Sequence, residues 1–290
     1  MCFKRKKNIN IQSQAKVMKF LGKADDLVWA SVNCIKRGER VDVIVPLSCE
    51  AICSIDGVAN GVVSSGRYTF EEDEKYDEQD IKVYYINKTS IVPIMWGTNA
   101  PIDLQDPVFE MPVRFGAHGS LKVSIDDSME FLLKVVGTRD NMNDKGLADY
   151  FRSKTVLFFT SLLANKMAEL GLSYFELAAQ LQAMSSIIFE DMKNEFKKYG
   201  LCLEDFTIDQ IKISEETLAR FTADKELVRR LKVREGIYDK LRTQMRSDKA
   251  EDIDQQIKII QALGQASKDA KDERELHIEI NSFTGEPKSE

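Results

Sequence analysis

The spacing of apolar and polar residues changes period once along the chain. Over residues 27–124 it runs at two, the period of strands with one face buried. "RVDVIVPL" (40–47) alternates in this way, and "AICSIDGVANGVVSSGRYTF" (51–70) reads as a hairpin turning at Asp56-Gly57. Asn60-Gly61 and Ser65-Gly66 add two further breaks. "IKVYYINKTSIVPIMWG" and "MPVRFGAHGSLKVSI" continue the strand pattern. Between them and the hairpin, "EEDEKYDEQD" (71–80) places seven carboxylates in ten positions, a self-repelling block expected to be a solvated loop.

After residue 124 the period becomes helical. Asp127 and Glu130 form a capping box before "MEFLLKVVG", which Gly137 closes. A second helix is predicted over 147–170, stopped by Gly171. Ser173 and Glu176 suggest another capping box, opening a helix whose stripe is Leu177, Leu181, Met184, Ile188, Met192, Phe196 and Tyr199. Gly200 ends it, and "LCLEDFTIDQIKI" follows as a strand that twice changes phase, the signature of bulges. Ser214 caps a new helix with Glu215 and Glu216 in its first turn. From there to about residue 273 the chain is helix formers and charge. Leu218, Phe221, Val228 and Leu231 make one thin stripe, Gly236 interrupts it, and Ile253, Ile257, Ile260 and Leu263 make another. Such stripes bury little alone, so the helices are expected to need a partner surface.

Composition narrows the function. The 290 residues are 43% hydrophobic and 30% charged, with only 15 Gly and 6 Pro, a mix suited to a core plus long exposed helices. A net charge of −6 argues against nucleic acid as the main partner. No apolar h-region follows the basic start "MCFKRKKNINIQSQ", and the most apolar run, "TVLFFTSLLA", is about half the ~20 residues a membrane span needs. The expectation is a cytoplasmic chain without signal peptide or span, its five cysteines reduced.

The stretch around Tyr199-Gly200, with Leu203, Asp205, Phe206, Ile208, Ile211 and Ile213 after it, resembles the end of an SPFH domain, also called Band 7 (stomatin, prohibitin, flotillin). The family usually has proline where this chain has Ser214. Tyr85, Ile86, Asn87, Lys88, Trp96, Gly97, Thr98, Asp106, Pro107, Pro112, Arg114, Gly119, Phe131, Gly137 and Thr138 are similar to its virion-core-protein-like branch. Gly66, Arg67 and Tyr68 add to this, although Ser65 stands where that branch has proline. The resemblance covers about residues 27–248. Many members of the branch carry a C-terminal zinc ribbon, and no cysteine follows Cys202 here.

The resemblance implies an α+β fold: a mixed or antiparallel sheet with packed helices, followed by a helical arm. The organisation expected is a flexible basic leader (1–26), the SPFH domain (27–213), the arm (214–273) and a disordered tail (274–290). The resemblance also implies a non-catalytic scaffold that self-assembles and organises proteins at the inner face of a membrane, with no cofactor. The alternative is a soluble cytosolic adaptor that binds a protein through the arm.

Lys4, Arg5, Lys6 and Lys7 could touch an anionic membrane, at about 1 kcal/mol each near such a surface. Four give roughly millimolar affinity, enough only for an oligomer; a solubilising tail is the competing reading. Direct lipid contact is therefore expected to be weak, and recruitment by a membrane-embedded partner is preferred. Cys2 occupies the place where myristoylation needs glycine. Cys49 and Cys53 would share a strand face, as two buried small residues rather than as a metal site, because zinc takes four ligands and the chain has only His118 and His277. Cys34 and Cys202 read as core filler. His118 has no companion nucleophile or acid and reads as a surface or interface residue. Trp96 reads as core and Gly97 as a bulge. Arg114 and Asp106 are expected to form an ion pair that steadies the strand connection.

Overall fold

The structure is a computed structural model that describes residues 16–36, 39–71, 78–244 and 253–269. The strands in chain order are β1 (Lys16–Lys19), β2 (Asp26–Lys36), β3 (Arg40–Val45), β4 (Cys49–Ile55), β5 (Val58–Val63), β6 (Gly66–Glu71), β7 (Glu78–Asn87), β8 (Val92–Gly97), β9 (Ile102–Gln105), β10 (Pro112–Ile125), β11 (Asn141–Asn143) and β12 (Leu201–Ile213). The helices are α1 (Ser128–Phe131), which runs on into a π turn (Leu132–Val136), then α2 (Asp144–Leu170), α3 (Leu181–Lys197), α4 (Glu215–Ala223), α5 (Lys225–Gln244) and α6 (Ile253–Asp269). The class is α+β, with mixed and antiparallel sheets and a helical C-terminal region.

The chain divides into two compact units. One comprises Met1–Ile94, Lys122–Phe151 and Asn194–Glu204; the other comprises Met95–Leu121, Arg152–Lys193 and Asp205–Glu290. The chain passes between them inside β8, β10, α2, α3 and β12.

The first unit holds a three-stranded sheet, β1-β3-β6, and a five-stranded sheet, β11-β2-β7-β4-β5. Period-two alternation sends Val41, Val43 and Val45 of β3 into one cluster with Cys49, Ala51, Cys53 and Ile55 of β4 and Ile81, Val83 and Tyr85 of β7. Asp56 (φ 48°) and Gly57 (φ 81°) turn β4 into β5, a pair of left-handed residues that matches the twist of a two-residue hairpin. Asp127 caps α1 by accepting the Glu130 N–H, half of the predicted box, while its own N–H goes to the Gly200 carbonyl. Gly200 has φ 72°, and a Cβ there would collide with the Asp127 carbonyl oxygen, so only glycine fits where α3 gives way to β12. Both phases of β12 are buried, through Leu201 and Leu203, then Phe206 and Ile208, then Ile211.

Several local expectations change. Lys16–Lys19, within the segment read as leader, pairs in parallel with β3. Of the acidic block, Glu71 ends β6, residues 72–77 lie outside the described residues, and Glu78–Asp80 belong to β7, whose start Asp56 holds by accepting the Asp80 N–H and donating its own N–H to the Asp80 carbonyl. Cys202 is exposed rather than core, since it lies on the outward phase of β12. Gly236 lies inside an unbroken α5, and the break falls at Asp224. Asp224 is extended (ψ 102°) and its carboxylate accepts the N–H groups of Glu226 and Leu227 to start α5.

In the second unit, β9 pairs with β10 in antiparallel register, with Arg114 opposite Asp103. Trp96 of β8 is buried, stacked on Phe206 at 5.6 Å and tilted against Phe159 of α2 at 4.7 Å between centroids. A Cβ on Gly119 would strike the Thr207 carbonyl and the Trp96 ring, so β10 and β12 can approach this closely only at a glycine.

Candidate functional site

The most elaborate polar arrangement in the second unit begins where β9 ends. Asp106 is 0% exposed. Its Oδ1 accepts the N–H groups of Val108 and Phe109, both at 2.9 Å, closing the turn into β10. Its Oδ2 accepts the Ser173 hydroxyl at 2.7 Å and the Tyr174 N–H at 2.9 Å, from the connection between α2 and α3. A buried carboxylate is costly unless its lone pairs are taken up, and here four donors take them.

The network continues through that connection. Glu176 accepts the Ser173 N–H at 2.9 Å, half of the predicted capping box. The Ser173 hydroxyl donates to Asp106 and accepts the Phe175 N–H instead of the Glu176 N–H, so the box does not close. A 3-10 turn (Leu177–Ala179) intervenes, and α3 starts at Leu181. The other side of Glu176 meets the arm. Arg234 of α5 donates from Nε to Oε1 at 2.7 Å and from Nη2 to Oε2 at 3.1 Å, and Nη2 also reaches the Gly171 carbonyl at 3.0 Å. Both partners are buried, Arg234 at 5% exposure and Glu176 at 6%. Ser173 thus joins two buried carboxylates, and the guanidinium pairs with one of them, Glu176.

An aromatic cluster lies on the same elements. Phe221 of α4 stacks on Phe175 at 3.9 Å and meets Phe109 edge-on at 5.2 Å. Arg230 lies over Phe109 at 5.4 Å and donates to the Val108 carbonyl. Arg230, Arg234, Ile237 and Leu241 follow helical spacing on α5, and Ile237 and Leu241 are each 1% exposed. On α6, Ile259 and Ile260 are buried, and Gly264 lies against the last carbonyl of α2, at Leu170, too close for a Cβ.

The predicted arm stripe is divided by this packing. Phe221 and Ile260 are covered within the chain, Val228, Leu231 and Ile257 are half-buried, and Leu218 is exposed. The side chains of Ile253 and Leu263 lie outside the described residues, as do Lys4, Arg5, Lys6 and Lys7. The sequence reading missed Arg230 and Arg234 because charged positions default to solvent. The available signal was that Arg234 is three residues before Ile237 and seven before Leu241.

Arg114 does not pair with Asp106. It pairs with Asp103, its register neighbour across β9 and β10, at 2.7 Å, while Asp106 lies beyond the strand end among its four donors. Asp103 is held below the usual carboxylate range by that hydrogen bond. Arg114 instead anchors the start of the arm. Its carbonyl accepts the Ser214 N–H, its N–H donates to the Thr217 hydroxyl, and its guanidinium lies 3.7 Å from Glu216.

The remaining signature residues serve structure. Arg67 reaches the buried Asp42 at 2.9 Å, the Tyr68 hydroxyl donates to the Ser64 carbonyl, and Gly66 opens β6. The Thr98 hydroxyl accepts the Ala117 N–H, and Gly97 lies against the His118 Cβ. Pro107 follows Asp106 in its turn, and Tyr199 meets Phe151 edge-on. Trp96 is buried while His118 is exposed on β10, so the two do not converge. Cys49 and Cys53 share the buried face of β4, and burial pushes the Cys53 thiol up to about 12. Among the described residues no group of three or more His, Cys, Asp and Glu is placed to hold a metal ion. Nor is any described helix long and apolar enough to cross a membrane.

A family model described as the SPFH domain-Band 7 family matches residues 33–228, more than half of the chain. The matched segment contains Asp106, Ser173 and Glu176 and ends before Arg230 and Arg234. No curated protein matches the chain.

Proposed function

Because the chain belongs to the SPFH domain-Band 7 family, a membrane-associated scaffold type that is generally non-catalytic, we propose that it is itself a non-catalytic scaffold. It self-assembles and organises partner proteins at the cytoplasmic face of a membrane. The family match carries this reading. The likeness of the residues quoted above to the virion-core-protein-like branch supports membership of that branch.

Recruitment runs mainly through a membrane-embedded or membrane-associated protein, with the basic leader and apolar loop tips adding weak lipid contact. Leu47, 95% exposed between β3 and β4, and Ile91, 57% exposed before β8, favour the loop contribution. Their loops are tied together by the Lys88 N–H donating to the Ser48 carbonyl.

The test is size and flotation together. Full-length protein should scatter light as a large homo-oligomer and should float with liposomes when its membrane partner is co-expressed. A subunit-sized species that stays in the soluble fraction would overturn the reading. That outcome would favour a soluble adaptor working through its arm, a second reading supported by Leu218, which stays 41% exposed on α4.

A further inference from the structure

The surface formed by Phe109, Phe175, Glu176 and the Gly171 carbonyl is built for one kind of ligand: a helix presenting a guanidinium and an apolar stripe at set spacing. Glu176 offers both oxygens in a fork, and the Gly171 carbonyl accepts a third N–H. Planar, bidentate reading of this sort selects arginine over lysine. Asp106, buried nearby and linked through Ser173, adds negative charge without offering a further lone pair, because its four donors are already in place. Phe109 and Phe175 supply the apolar wall. The matching pattern in this chain is Phe221, Arg230, Arg234, Ile237 and Leu241 of the arm, which is seated there.

We propose that this surface is an exchange site between subunits, and that its second occupant is the arm of another copy of the same chain. The inference rests on the scaffold reading above and gives it a mechanism. Two features make the arm exchangeable. Its connections are single residues that are not helical, Ser214 (ψ 148°) before α4 and Asp224 (ψ 102°) before α5, so redirecting the arm requires few dihedral changes. In addition, a buried ion pair gains little net stability over separation when both groups can return to water, while it strongly specifies the partner. The same contacts therefore form within one chain or between neighbours. Concentrating copies on a membrane raises the effective concentration of neighbouring arms and shifts the balance to exchange.

Charge-swap complementation tests this with the full chain. Glu176→Arg and Arg234→Glu chains are purified separately and then mixed in equal amounts. Alone, each places like charges in the dock and should fail to form the wild-type assembly. Mixed, each chain's surviving group finds its complement on the other, and the wild-type mass should return in light scattering. A mixture that reads as the average of its components overturns exchange. In case either charge swap fails to fold, Phe175→Cys and Phe221→Cys chains carrying different tags are mixed and oxidised, with the wild-type chain as control. A disulfide joining the two tags above the wild-type control supports exchange, and the lack of such a link overturns it. A wild-type chain that is subunit-sized at every concentration overturns the scaffold reading itself. An assembled wild type without complementation overturns the exchange alone.

Discussion

Arg234 of α5 and Glu176, which follows α2, form a forked ion pair with both side chains nearly out of water. Fifty-eight positions separate them in sequence, and their contact fixes α5 to the connection between α2 and α3. Removing one partner leaves the other charge buried. Arg234→Ala should therefore cost about 3–5 kcal/mol, whereas replacing both residues by apolar ones of similar volume should recover most of the loss. Urea denaturation of Arg234→Ala, Glu176→Leu and Arg234→Met/Glu176→Leu gives the comparison. A double variant no better than Arg234→Ala would mean that the pair is not where the cost lies.

Asp106 is tested by the loss of one acceptor. In Asp106→Asn an amide NH2 replaces a carboxylate oxygen and confronts two donors, either Val108 and Phe109 or Ser173 and Tyr174. Each buried donor left without a partner costs about 1–3 kcal/mol, so a loss of roughly 2–6 kcal/mol is expected for two. Limited proteolysis should also cut more readily after α3, because Ser173 no longer positions Glu176 for the arm.

Gly119 should accept no side chain. A methyl group there overlaps the Thr207 carbonyl and the Trp96 ring, and overpacking of this kind costs about 1–3 kcal/mol. Gly119→Ala should lower the thermal midpoint and change the tryptophan emission, because Trp96 is one of only two tryptophans in the chain. An unchanged spectrum would show that the Trp96 ring is not in contact with position 119.

The cysteines give a pH-dependent test. Burial raises the Cys53 thiol from an ordinary 9.0 to about 12. The folded state therefore holds the proton more tightly than the unfolded one. Its contribution is complete below pH 9 and is lost as pH rises toward 12, since the unfolded chain ionises first. Stability should fall over that window, and Cys53→Ala should flatten the fall. At neutral pH a thiol reagent should modify the exposed Cys202 and spare Cys49 and Cys53 until the chain unfolds.

Much of the fold was readable from local signals. Alternation marked β3, β4, β7 and β10, the Asp56-Gly57 pair marked a hairpin, and Gly171 and Gly200 marked helix ends, because period and backbone freedom are properties of a few neighbouring residues. The stripe Leu177, Leu181, Met184, Ile188, Met192, Phe196 and Tyr199 was also legible: five of these are fully buried, while Leu181 and Tyr199 are half-buried. Local pattern did less well where a segment's role is set by what lies beside it. Lys16–Lys19 is a strand because β3 offers it a free edge, and α5 runs through Gly236 because its contacts hold it there.

By itself, the sequence determined the order of elements, the glycines that end them and the family to which the chain belongs. Only the tertiary structure decided which charges are buried and with whom: Asp106 with Ser173 and Tyr174 rather than Arg114, and Arg234 with Glu176 rather than water. The physical reason is that a charged residue carries no periodic mark of burial. Its place depends on whether distant segments bring donors or a counter-charge to it, and that is settled only when the turn after β9, the connection before α3 and the arm meet.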